Sequence, residues 1–199
     1  MAKRTLQDAP EVSIDSLQAL RDWLTDHHDR SDGVWLVTWK KADPARYVAA
    51  TDIVDECLCF GWVDSLPRAK DEARTMLYIS PRKPGSNWSR VNKQKVARLS
   101  GGGRMTPAGQ AVIDRAKEDG SWSALDDVED LVLPSDLQAA FDAAPGAEST
   151  WHSFPRGVKR GALEILLNAK REATRQKRIE TILADCTAGR RPFQWRGSS

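Results

Sequence analysis

From Glu56 to Asn92 the chain reads ECLCFGWVDSLPRAKDEARTMLYISPRKPGSNWSRVN, and the periodicity of its apolar residues changes several times along the way. Glu56–Cys59 closes a helical pattern in which Tyr47, Ala50, Val54 and Leu58 recur at spacings of three and four, with Asp52, Asp55 and Glu56 round the other side. Gly61 stops that helix. Trp62-Val63-Asp64 opens an extended run, and the polar Ser65–Asp71 either continues it as an edge or turns a corner at Pro67. Thr75–Ile79 is apolar enough for a central strand. Pro81, Pro84 and Gly85 form an exit loop, and a helix over Trp88–Leu99 follows, with Ser86 or Asn87 to cap it.

Outward from this stretch the same signals repeat. Toward the N-terminus, Gly33–Lys40 places Trp35, Val37 and Trp39 on one side and Val34 and Leu36 on the other, a strand covered on both faces. Ile14, Leu17, Leu20 and Leu24 fit a helix that ends between Asp29 and Gly33, and residues 1–12 read as a tail or an edge segment. Toward the C-terminus, Pro107–Lys117 is a helix and the acidic run 123–134 reads as a surface linker. Helical patterns then fill the rest: one from Ser135 to Ala143, a turn or short helix carrying Trp151 and Phe154, and one opened by Pro155. The last is capped by Thr174 and presents Ile179, Ile182, Leu183 and Cys186. The expected fold class is α+β. A small, mainly antiparallel sheet packed with helices takes residues 1–125, and a helical C-terminal module packed on it takes residues 126–199.

The 199 residues carry 40% hydrophobic and 29% charged side chains, an ordinary globular composition with an excess of Trp (eight) over Tyr (two). Three cysteines make no disulfide framework and point to a reducing, cytoplasmic compartment. No apolar run reaches the ~20 residues of a membrane helix. Net charge is +2, yet it is arranged in blocks. Residues 66–104 are strongly basic, 118–148 hold acids without Lys or Arg, and 156–191 are basic again. Blocks that nearly cancel are best explained by one another, which argues against nucleic acid as the partner; a homo-oligomer stays open.

The candidate site residues lie in the opening stretch. Asp64, at an apolar-to-polar boundary, is either a general base, a ligand for a cationic group, or one half of an ion pair with Arg68, Arg74 or Arg82. Glu56 shares the acid–base reading, against a solvated helix face. Arg82 and Lys83, followed by Ser86 and a helix start, have the chemistry to hold a carboxylate or phosphate. Trp62 and Trp88 either stack on a ligand or fill the core, and Asn92 sits in the Trp88, Val96, Leu99 stripe as a ligand contact or an internal hydrogen-bonder. Cys57 and Cys59 point about 200° apart on a helix, and His27-His28-Asp29 suits a helix C-terminus, so neither a metal nor a cofactor is expected.

Several motifs together resemble a known family. They are E-x-L-C-F-G-W-[IV]-D at Glu56–Asp64, P-R-K-x-x-S-x-W-S-x-x-N at Pro81–Asn92 and G-R-M-T-P-A-G at Gly103–Gly109. Further on come F-P-x-x-x-K-R-G at Phe154–Gly161, A-K-x-x-x-T-R-x-x-R-I at Ala169–Ile179 and F-Q-W at Phe193–Trp195. In this order they resemble the YdeI/OmpD-associated (OmdA) proteins, bacterial proteins described as bacteriocin-protection proteins. Cys57, Ser65, Ile165 and Ala173 depart from residues usual in that family. The resemblance implies a stress or resistance protein concerned with bacteriocins or cationic antimicrobial peptides, and carries no catalytic mechanism with it. The expectation is therefore a protein that binds a ligand or partner, a small anionic molecule or a peptide, through Trp62, Asp64, Arg82, Lys83, Ser86, Trp88 and Asn92. The alternative is an enzyme acting on a small anionic molecule, with Asp64 or Glu56 moving the proton and Arg82 holding the anion.

Overall fold

In the computed structural model, which describes residues 6–194, the chain divides after Ser123 into two compact units. All four strands among the described residues belong to the first: β1 (Glu11–Ser13), β2 (Val34–Trp39), β3 (Trp62–Ala69) and β4 (Arg74–Pro81), in the order β1-β2-β4-β3. β4 is central and antiparallel to both β2 and β3. The residues expected to be a tail or edge supply β1, which lies parallel to β2. It is held at its ends where the Trp35 N–H donates to Pro10 O and the Ile14 N–H donates to Val37 O. Ile14 is accordingly buried from the end of a strand and not from the helix its spacing suggests.

Alternation along β2 sorts its side chains between two cores, as its sequence predicts. Val34 and Leu36 join Ile79 in the main core, while Trp35, Val37 and Met76 cluster on the opposite face with Ala9 and Tyr78. Helices α1 (Leu17–His27), α2 (Ala50–Cys59), α3 (Arg90–Gly101) and α4 (Pro107–Glu118) contribute to the main core. They bring Leu20 and Leu24, then Ile53, Cys57 and Leu58, then Val96 and Leu99, then Ile113 and Ala116, around Trp62 and Trp88. Each large apolar side chain buried this way contributes on the order of 1.5–3 kcal/mol.

α3 starts later than its apolar stripe suggests. Its cap is Ser89, whose Oγ accepts from the Asn92 N–H, and Trp88 therefore precedes the helix. Neither Ser86 nor Asn87, the two expected caps, takes that place, and Ser86 instead donates its hydroxyl to Lys83 O inside the exit turn. Gly61, at the α2–β3 junction, has φ +74°, and a Cβ there would come within 2.5 Å of Val112 Cγ2. Only glycine allows both the turn and that approach of α4.

The second unit is helical throughout its regular structure: α5 (Asp126–Glu129), α6 (Ser135–Asp142), α7 (Pro145–Ser153), α8 (Arg156–Leu167) and α9 (Glu172–Thr187). The acidic run 123–134 is not a surface linker, because Leu125 and Val128 are buried in the core of this unit with Leu137, Phe141, Trp151, Leu163, Leu166, Ile179, Ile182 and Cys186. α9 begins before Thr174, with Arg171 at its cap position. The Trp195 of the last motif lies outside the described residues.

Candidate functional site

Arg82 leaves the end of β4 with its backbone N–H on Gly61 O and turns its side chain inward. It is 8% exposed, and its guanidinium lies 3.8 Å from the centre of the Trp88 ring. One terminal N–H donates to Asn87 O. Its Nε–H, also buried, has no hydrogen-bond partner among the described residues. Burial without a carboxylate partner pulls the pKa of Arg82 down to about 10, still charged at neutral pH. The side chain borders a crevice of about 10 Å³, lined also by Lys83, Ser86, Trp88, Arg115 and Asp119, with room for roughly one water-sized group.

Asp119 forms the acidic side of this crevice. Its Oδ1 accepts from the Ser121 N–H and its Oδ2 from the Gly85 N–H, and its pKa is lowered first by the Ser121 side chain and then by these backbone bonds. The Trp88 N–H donates to Ser121 O, which ties the loop after α4 to the exit loop of β4. Four of the expected ligand residues, Arg82, Lys83, Ser86 and Trp88, thus share one crevice. Arg115 and Asp119 complete it, and no motif in the sequence singles them out.

The remaining expected residues sit elsewhere. Trp62 is fully buried against Trp23 and donates its indole N–H to His28 O, so neither ring face is open to a ligand. Trp88 is equally enclosed, between the Arg82 guanidinium and Trp122. Asn92 is half-buried in the first turn of α3. Asp64, half-buried opposite Ile79 on the core-facing side of the sheet, makes none of the ion pairs its sequence invites. Arg68 lies over Trp35, Arg74 is bound to Asp71, and Arg82 stacks on Trp88. The charge of Asp64 acts instead on Cys57, whose thiol is pushed up first by burial and then by this carboxylate.

Glu56 is not on a solvated face. It is 1% exposed, with Oε1 accepting from Arg21 of α1 and Oε2 from Arg104 before α4. Each carboxylate oxygen thus accepts from a guanidinium, which makes Glu56 the shared ion-pair partner of two arginines. Its neighbour Asp55 is buried as well, bound by Lys95 at 3.0 Å and by Arg98, both of α3. Burial opposes the charge of Asp55, but hydrogen bonds from Arg98 and Lys95 and their positive charge outweigh it, and its pKa falls below 3.8.

A folded-state pKa below the unfolded value means stability that is full above the unfolded pKa and is lost as pH falls through the folded one. Thermal unfolding at pH 6 and at pH 3 checks this with Asp55→Asn. The variant should be less stable than the parent at pH 6, with the gap narrowing as pH drops below about 4. A gap that is constant with pH would contradict the ion-pair account.

Among the described residues no group of three or more His, Cys, Asp or Glu is arranged to hold a metal ion, and no helix is long and apolar enough to cross a membrane. His27 stacks on Trp23, and the Nδ1 of His28 lies 3.0 Å from Thr25 O.

Comparison with protein families divides the chain much as its cores do. Residues 12–112 match the family described as a domain of unknown function (DUF8412). Residues 130–189 match the family described as Bacteriocin-protection, YdeI or OmpD-Associated (OmdA). The motifs at 154–161 and 169–179 fall inside the second match, and those at 56–64, 81–92 and 103–109 inside the first. No curated protein and no solved structure matches the chain.

Proposed function

Since the chain belongs to the DUF8412 family over residues 12–112 and carries the OmdA bacteriocin-protection segment over 130–189, we propose that it is a tolerance protein acting by binding a small anion. The observation that carries the binding half is Arg82: a buried guanidinium with no carboxylate partner and an Nε–H left without an acceptor. Leaving a buried donor unsatisfied costs roughly 1–3 kcal/mol. An oxyanion would remove that cost. One oxygen fits the crevice, and the rest of the group would lie at its mouth beside Lys83 and Arg115.

The physiological half rests on the OmdA segment, and its target would be stress from bacteriocins or cationic antimicrobial peptides. A cytoplasmic setting is part of the proposal and is supported by the three buried, unpaired cysteines.

Two measurements test it. Thermal shift of the full chain against inorganic phosphate, sulfate and acetate should raise the melting temperature of the parent. Arg82→Met, which keeps an apolar side chain against Trp88, should lose at least about tenfold in apparent affinity. Equal response of parent and variant would dismiss the site. Deletion of the gene should increase sensitivity to cationic peptides, and unchanged sensitivity would remove the tolerance reading.

A further inference from the structure

A second site lies at another place in the first unit, and it needs nothing from the Arg82 crevice. Gln18, Arg21, Thr25 and His28 fall at spacings of three and four along α1, a stripe beside the one that buries Leu20 and Leu24. Two hollows border this stripe and share Arg21. One, of about 280 Å³, is lined by Leu17, Gln18, Arg21, Glu56 and Arg104. The other, of about 360 Å³, is lined by Arg21, Thr25, His28, Phe60, Thr106, Pro107 and Ala108. The larger hollow alone is within the ~300–1,000 Å³ typical of small-molecule sites.

The charges at the junction do not cancel. Glu56 is a single carboxylate beneath two guanidiniums, and the Arg21 and Arg104 side chains remain 33% and 39% exposed. Arg21 also donates to Arg104 O at 3.3 Å, which fixes the two arginine-bearing segments against each other. A net positive charge therefore faces the hollows while its counter-charge is covered. The first turn of α4 borders the larger hollow through Thr106, Pro107 and Ala108. Thr106 Oγ1 already caps the Gly109 N–H, and the positive end of this twelve-residue helix adds to the attraction for an anion. Beyond it the wall is apolar: Phe60, with Arg21 5.4 Å from its ring centre, then Pro107 and Ala108.

From this juxtaposition we infer that the groove along α1 binds a small amphipathic carboxylate. Its anionic group sits at Arg21 and Arg104, and its aromatic or short aliphatic body lies over Phe60, Pro107 and Ala108. Glu56 is a positioning residue in this site. It holds the two guanidiniums side by side and does not itself meet the ligand's charge. A bare inorganic anion fills none of the apolar wall, and a neutral body of the same shape makes no use of the arginines.

Calorimetric titration of the full chain with phenylacetate and octanoate tests the inference, with phenylacetamide and inorganic phosphate as the comparison probes. The carboxylates should bind with Kd near or below about 1 mM, and phenylacetamide at least about tenfold more weakly. Thr25→Trp, at an exposed position, fills the groove without touching the core. Arg21→Gln leaves Arg104 to hold Glu56. Each should weaken phenylacetate binding at least about tenfold while leaving the phosphate response of the Arg82 crevice in place, which separates the two sites. Phenylacetate affinity that survives both groove variants, or equal affinity for the acid and its amide, would overturn it.

Discussion

Removing Arg21 and Arg104 together is expected to cost at least about 3 kcal/mol of stability, more than removing the Glu56 they hold. The asymmetry follows from where each charge sits. Glu56 is 1% exposed and its two partners are partly in water. With Arg104→Ala, Arg21 still covers the carboxylate, and the loss should be on the order of 1 kcal/mol. The same holds for Arg21→Ala. With both arginines gone, a buried carboxylate stands alone, so the double variant should lose well over the sum of the two single losses. With Glu56→Ala, α1, α2 and the segment before α4 lose their common tie, but the two guanidiniums left behind are partly in water, so the loss should be about 1–2 kcal/mol. Urea unfolding of the four variants measures the coupling. Additive arginine losses, or a Glu56→Ala cost above that of the double arginine variant, would contradict this account of the cluster.

The two adjacent acids of α2 also show where a sequence stops being readable. Asp55 and Glu56 stand opposite the apolar residues of their helix, which by pattern alone is the position of a solvent face. Both are buried because Lys95, Arg98, Arg104 and Arg21 reach them from other elements, 35 to 48 residues away in the chain. Pairing at that separation leaves no local signature. The charge blocks were a partial one, since near-cancellation suggested internal partners. In the second unit Arg160 bonds Glu129 and Arg175 bonds Asp136, much as α3 bonds α2 in the first.

The strands are legible for the opposite reason. Val34–Trp39 and Arg74–Pro81 carry their evidence in the residues themselves, through β-branched and aromatic side chains and a period of two. β1 carries none, because three residues held at their ends by main-chain bonds need no particular side chains. α5 hides behind its composition. The run Asp126–Asp130 reads as a solvated strap, yet Leu125 and Val128 are enough to anchor it in the second core, and Glu129 has Arg160 beside it. The Arg82 crevice was half legible. Arg82, Lys83, Ser86 and Trp88 are close in sequence, whereas Arg115 and Asp119 reach it from α4 and its C-terminal cap.

Gly109→Ala should be the most damaging single-methyl addition in the first unit, costing about 3 kcal/mol. Gly109 lies in the first turn of α4, where that helix crosses the end of α2. Thr106 fixes the crossing twice: its N–H donates to Cys59 O at 3.1 Å and its hydroxyl to the same oxygen at 2.6 Å. A Cβ on Gly109 would be driven against that carbonyl oxygen, within 2.7 Å of the Cys59 carbonyl carbon and of Met105 Sδ. Met105 can turn away. The Cys59 backbone cannot, because it belongs to the last turn of α2 and both Thr106 bonds converge on it. Relief requires α4 to back away from α2, which opens the packing of Ile113 and Ala116 in the main core. Gly161 supplies the control. It lies inside α8 with nothing within 4 Å of an added Cβ, and Ala there should stabilise the chain by up to about 1 kcal/mol through helix propensity. Chemical denaturation of the two variants should therefore move the transition in opposite directions. A Gly109→Ala protein as stable as the parent would mean that α4 does not approach α2 as closely as the Thr106–Cys59 bonds require.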